Sequence, residues 1–395
     1  MSRRTALVKF YLAGTDPELR LIATPLQIDP ADQAWPITQP AEYGCELIDS
    51  LGPFYTLGEP LDTHSVLDRR YDLDGFLDQY REVSRQRQRM FEHELGRFHD
   101  GVLAFVFDAG DRIQHLFGGI DYVESPAYEP SRARTYAHVV PDLYRDLDSL
   151  LGTALEVVDD GTAVFVVSDH GFVPFRREVH VNRWLIDNGY LTVNHRGRSD
   201  SLWHDVDWEQ TRAYAVGFSS IYLNLAGREP CGTVRPGDDA HALVRQIATG
   251  LSRLRDPKSG RSMIRRVYDA STLFTGSHTL DGPNLVVGFE PGFRASRATA
   301  LGSAPRELVT DNDSLWAADH RVDPSAVPGV MATNLEIECA NPQGYDLAPT
   351  VLNCLDLPVP DYMDGAPWVG DAPSSRPRET AHEEHTPELV AIGAR

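Results

Sequence analysis

Four short apolar runs punctuate the chain: VLAFVFD (102–108), TAVFVVS (162–168), NLVVGFE (284–290) and, less cleanly, GVMATNLEI (329–337). Unbroken runs of this length are the pattern of strands covered on both faces. Between the first two, SRARTYAHVVPDLYRDLDSLLGTAL brings Val139, Leu143, Leu147 and Leu151 together at helical spacing. Strand, helix, strand over about 60 residues predicts a βαβ unit, and with it a doubly wound, mostly parallel α/β sheet. Segment 72–98, DLDGFLDQYREVSRQRQRMFEHELGRF, reads as a long amphipathic helix feeding the first run. Further helices are expected at 239–254 and 347–355, the latter with Pro349 in its first turn, where a missing N–H costs nothing.

Two regions are less regular. Residues 1–60 hold the strand-like pieces ALVKFYLAG and LRLIATPLQI, followed by many prolines, and residues 190–235 hold TRAYAVG and IYLNLAG. The organisation expected is one α/β domain over 1–370, with a smaller β-rich insertion at 190–265. The polar, proline-rich DAPSSRPRETAHEEHTPEL places a disordered tail at 371–395.

Ligands of open parallel sheets collect beyond the carboxyl ends of the strands. The first run continues as FDAGDRIQH, putting Asp108, Asp111 and His115 just past its end. The second run ends in Asp169–His170, and LWAADHRVDP carries Asp319–His320. Asp111 and His115 are four apart, so a helix starting there sets both on one face. Mixed Asp/His sets suit Zn²⁺ best, with Mn²⁺ or Fe²⁺ next, because imidazole disfavours Mg²⁺ and Ca²⁺. A single Asp-His pair after a strand is ordinarily a capped turn; three Asp/His groups at three strand ends point to a metal. His138, His180 and His241 read as structural, and His278 in GSHTLDGPN as a loop histidine able to approach the site.

Composition works mainly by exclusion. With 42% hydrophobic and 24% charged residues the chain is globular. No apolar run reaches the roughly 18–20 residues of a membrane helix. The opening MSRRTALVKFYLAG is interrupted by Lys9 and lacks the core of a secretory signal. A net charge of −21 argues against nucleic acid as a stable partner, although a bound cation would still admit a small phosphorylated substrate. Cys45, Cys231, Cys339 and Cys354 are scattered without a CxxC pair, so a cytoplasmic location and no disulfide framework are expected.

As a set, FDAGDRIQHLF, VVSDHGFVPFRREVHVNRWL, GPNLVVGFEPGFRAS, AADHRVDPSAVPGVMATN and DLAPTVLNCLDLPVPDYMDG resemble the type I phosphodiesterase/nucleotide pyrophosphatase branch of the alkaline phosphatase superfamily. The resemblance implies an alkaline phosphatase-like α/β fold and a hydrolase of phosphate esters acting over two divalent ions, Zn²⁺ first among candidates. It implies that Asp111, His115 and His320 hold one ion, and that Asp169 and His170 hold the other beside an Asp and a Thr or Ser nucleophile. Displacement at phosphorus would then run in line between them.

Those last two residues have no counterpart upstream of the first motif. Leu73-Asp74-Gly75 opens a helix without a strand before it, and Thr56 in GPFYTLGEP lacks the matching Asp. The expectation is therefore a domain incomplete at its N-terminal end, with a separate N-terminal polypeptide as a possible partner. The alternative is a non-catalytic fragment or pseudoenzyme that keeps one metal site.

Overall fold

A computed structural model describes residues 4–58, 60–194, 199–369 and 390–392. The chain divides into two compact units, Met1–Ile113 with Val139–Val167 and Met331–Arg395, and Gln114–His138 with Ser168–Val330.

In the first unit, helix Leu73–Leu95 begins where the sequence asks it to. Asp72 is extended, and its carboxylate accepts the N–H of Gly75 at 2.7 Å, closing one of the unpaired donors of the first turn. Phe76, Leu77, Tyr80, Val83 and Met90 form its buried stripe. Leu73-Asp74-Gly75 thus opens a helix, as expected. Phe10–Gly14 and Arg20–Ala23 pair as an antiparallel hairpin. Phe165–Val167 pairs antiparallel with Met331–Thr333, and Leu103–Phe105 pairs in parallel with Val390–Ile392. Apart from those last three residues, the tail expected at 371–395 lies outside the described residues.

The second unit carries an extensive apolar core. Strands Ile264–Asp269, Leu285–Phe289, Ser220–Leu223 and Ala213–Ala215 form, in that order, an antiparallel sheet. Helix Asp238–Ser252 buries Leu243, Val244, Ile247 and Leu251 in the same cluster as Leu223, Leu285, Val287 and Phe289. Each fully buried Leu, Ile or Phe stabilises the fold by about 1.5–3 kcal/mol before entropy is counted.

The α/β class expected from the sequence holds. Its sheet, however, is realised in pieces, and most strand pairs among the described residues are antiparallel. Run 284–290 is the clearest case. The run reads as a buried strand, and Leu285, Val287 and Phe289 are buried in one core while Val286 is half-buried. The strand joins the β-rich portion.

The site rests on a helix and a second sheet, labelled α1 (Ala109–Phe117), β1 (Val173–Val179), β2 (Gly292–Ala295), β3 (Val309–Asp311) and β4 (Ala318–Asp319). β1 is the common neighbour: β2 pairs with it in parallel, β3 and β4 antiparallel. Among the described residues no helix is long and apolar enough to cross a membrane.

Candidate functional site

The helix expected after the first apolar run is α1, with Asp111 in its first turn and His115 in its last, on one face. Two glycines follow it because another strand passes directly over that point. A Cβ on Gly119 would lie 2.5 Å from the Ala317 carbonyl oxygen, and one on Gly118 would lie 3.2 Å from the Ala318 Cβ. This closeness lets the Ala317 N–H donate to the His115 carbonyl at 2.8 Å.

His115 is fully buried. Trp316 stacks on its ring, centroids 3.8 Å apart, and Phe172 meets it edge-on at 4.9 Å. Its Nδ1 lies 2.9 Å from the Ala318 carbonyl oxygen. A carbonyl only accepts, so Nδ1 carries the proton and Nε2 the lone pair of the neutral ring. Burial pushes its pKa far below the usual histidine range, against the opposing pull of Asp319.

The SDHG corner is built by chain from far along the sequence. The Ser168 N–H donates to the Val330 carbonyl at 2.8 Å, the Val330 N–H returns to Ser168 Oγ at 2.8 Å, and the Gly171 N–H donates to the Val327 carbonyl at 3.0 Å. Glycine is required on both sides of this clamp. A Cβ on Gly329 would sit 2.3 Å from the Ser168 carbonyl oxygen, and one on Gly171 would sit 3.0 Å from that of Pro328.

On this corner His170 presents its ring face to His320, with centroids 3.7 Å apart and planes 9° from parallel. His320 in turn lies 5.2 Å from His115, so it is the middle ring of three. Burial, and then the neighbouring His170, lower its pKa to about 4. His170 Nδ1 lies 3.2 Å from the Gly171 carbonyl oxygen, the same arrangement as in His115. In His115 the carbonyl holds Nδ1–H, the usual preparation of a metal-binding imidazole, whereas His170 Nε2 faces the Asp169 carboxylate at 3.5 Å.

Asp319, read from the sequence alongside His320, has a different role. It is fully buried. Its Oδ1 accepts the N–H groups of His320 and Arg321, both at 2.9 Å, and its Oδ2 accepts Trp316 Nε1–H at 2.8 Å and the Arg294 guanidinium. Arg294 also reaches Glu178 at 3.0 Å and lies over the Phe175 ring. Burial would raise the Asp319 pKa, but the Arg294 charge and the Arg321 N–H outweigh it and hold the carboxyl below its usual range.

The remaining candidates are placed differently. Asp169 has a side chain 87% exposed, its carboxylate accepting the His170 N–H at 3.1 Å. Asp111 lies 3.6 Å from the Arg112 guanidinium. Thr56 Oγ1 donates to the Ile28 carbonyl at 2.8 Å, which gives it a structural role. His278 sits in an exposed loop beside Asp281, and His180 is buried between Ser296 and Thr310. Trp316, Phe172 and Arg294 were not identified from the sequence; Trp316, three residues before Asp319, was the nearest available cue.

The profile of the type I phosphodiesterase/nucleotide pyrophosphatase family matches residues 31–307. The matched stretch contains Asp111, His115, Asp169 and His170, and it ends shortly before His320. No curated protein matches the chain. The match covers well over half of the sequence and agrees with the strand-end motifs, so the chain belongs to the type I phosphodiesterase/nucleotide pyrophosphatase family.

Proposed function

We propose that this chain hydrolyses phosphate esters of small phosphorylated substrates, with divalent cations held by Asp111, His115 and His320 and by Asp169 and His170. The single observation that carries the reading is the group of three imidazoles, with His320 stacked on His170 at 3.7 Å and 5.2 Å from His115. Two rings in parallel contact cannot both be cations without strong repulsion, and burial already keeps His115 and His320 neutral. A neutral imidazole whose Nδ1–H is held by a carbonyl, as in His115, is the form that binds a cation. Carboxylate and imidazole donors together favour Zn²⁺.

A bound ion would supply Lewis acidity toward a phosphoryl oxygen. The chain's own residues orient the donors: Trp316 and Phe172 shield His115 from water, and the 327–330 clamp fixes the corner that carries Asp169 and His170. The displacement proposed is in line at phosphorus with a Thr or Ser hydroxyl as nucleophile. No residue of this chain is assigned that role.

The test is metal analysis of the purified full chain with hydrolysis of bis(p-nitrophenyl) phosphate. About two equivalents of Zn²⁺, and turnover abolished by Asp111→Ala or His320→Ala, is the expected result. One tightly held ion without turnover would replace this reading with a non-catalytic metal-binding protein. No bound transition metal, with neither substitution changing any activity, would overturn both.

A further inference from the structure

Three adjacent strands of the site's sheet each contribute one charged side chain to a continuous row: Glu178 from β1, Arg294 from β2 and Asp319 from β4. Arg294 and Asp319 are almost wholly buried, with side chains 9% and 0% exposed. A buried ion pair of this kind is seldom the most stabilising choice, since well-packed apolar side chains of similar size often do as well or better. What the carboxylate provides that an apolar residue cannot is direction, and its four close donors define that direction.

Two of those donors are the N–H groups of His320 and Arg321, which fix the backbone carrying the middle ring. A third is the Trp316 indole N–H, which fixes the plane of the ring stacked on His115 at 3.8 Å. Arg294 supplies the compensating charge. One carboxylate thus holds the supports of both His115 and His320. With its oxygens already engaged by these donors, it is poorly placed to be a ligand itself.

We propose that Asp319 is a positioning residue, whose carboxylate sets the planes of the His115 and His320 rings as imidazole donors to a divalent cation. This rests on the metal-binding reading above and adds to it a residue that touches neither metal nor substrate.

The test is titration of the metal-stripped full chain with Co²⁺, read by its visible absorption. The wild-type chain is expected to show ligand-field bands. Asp319→Asn keeps the shape but loses the charge and one acceptor, and is expected to weaken Co²⁺ affinity by about 10–100-fold with displaced bands, while near-ultraviolet circular dichroism stays native. Should that variant fail to fold, Trp316→Phe decides: it keeps an aromatic face on His115 and removes one N–H donor, for an expected loss of about threefold to tenfold. Unchanged affinity and unchanged bands in a folded variant would overturn the positioning role alone. A wild-type chain that binds no Co²⁺ would overturn the metal reading and this inference together.

Discussion

The imidazoles of His170 and His320 lie face to face, centroids 3.7 Å apart and planes 9° from parallel. Residues 150 positions apart in sequence are stacked as closely as two bases, and burial and repulsion lower the pKa of His320 to about 4. In metal-free protein the His320 Cε1–H resonance, assigned by its loss in His320→Gln, is expected to keep its neutral position from pH 8 to pH 5. A midpoint near 6.5 in that NMR titration would contradict the stacked, desolvated ring.

Acid stability follows from histidines of one kind. His115, His180 and His320 all have folded pKa values below the ordinary value of 6.5, and burial is the largest cause in each. The unfolded chain therefore takes up protons below pH 6.5 that the folded chain refuses. Stability is fully present above pH 6.5 and falls as pH drops below it, by up to roughly 1.4 kcal/mol per pH unit for each such histidine until its folded pKa is reached. Urea unfolding of metal-free protein at pH 7.5, 6.0 and 5.0 checks this, and His180→Gln is expected to flatten the slope.

The clamp on the SDHG corner makes a sharp prediction about glycine. Gly329→Ala places a methyl group 2.3 Å from the Ser168 carbonyl oxygen, and is expected to cost about 1–3 kcal/mol through forced backbone displacement. Gly152 lies in helix Val139–Val157 with nothing within 4 Å of where its Cβ would be. There Gly152→Ala is expected to stabilise by about 0.5–1 kcal/mol. Opposite shifts in urea midpoint for the two variants are the outcome sought.

Arg177 and Asp256 form a second buried pair, at 3.2 Å, with side chains 6% and 1% exposed. Arg177→Met leaves the Asp256 carboxylate buried without its cation and is expected to cost about 3–5 kcal/mol. Adding Asp256→Asn to that variant is expected to recover part of the loss. A double-mutant cycle on unfolding free energies measures the coupling, and strictly additive losses would show that the two charges do not depend on each other.

At the start of helix Leu73–Leu95, Asp72→Ala removes the acceptor of the Gly75 N–H. A loss of about 1 kcal/mol is expected, measured as a lower thermal midpoint with unchanged helical circular dichroism at room temperature.

The places where apolar runs end in Asp and His were legible in the sequence because strand ends are marked by an abrupt change of polarity. The four-residue spacing of Asp111 and His115 was legible because α1 is local structure. Partner order was not. An apolar run reports that a strand is covered, not which strand lies beside it, so the run at 284–290 read only as a buried strand, and Leu285–Phe289 joins an antiparallel sheet. The true surroundings of Asp319 were hidden for the same reason: Arg294 and Glu178 meet it only because β2 and β4 both pair with β1. The sequence showed Asp319 as one half of an Asp-His pair, whereas its contacts place it beneath the histidines.

The Ser168–Val330 contact has a consequence for the order in which the molecule is made. Its two ends are separated by 162 positions. At about 5–20 residues per second, a ribosome that has just added Ser168 needs roughly 8–32 s more to reach Val330. Throughout that interval the SDHG corner is synthesised but has nothing to close it, and His320 arrives only in the last moments. The imidazole cluster is thus one of the latest features to assemble on the nascent chain, so a premature stop shortly before Val330 would release a polypeptide with every histidine of the cluster and no clamp to hold His170 in place.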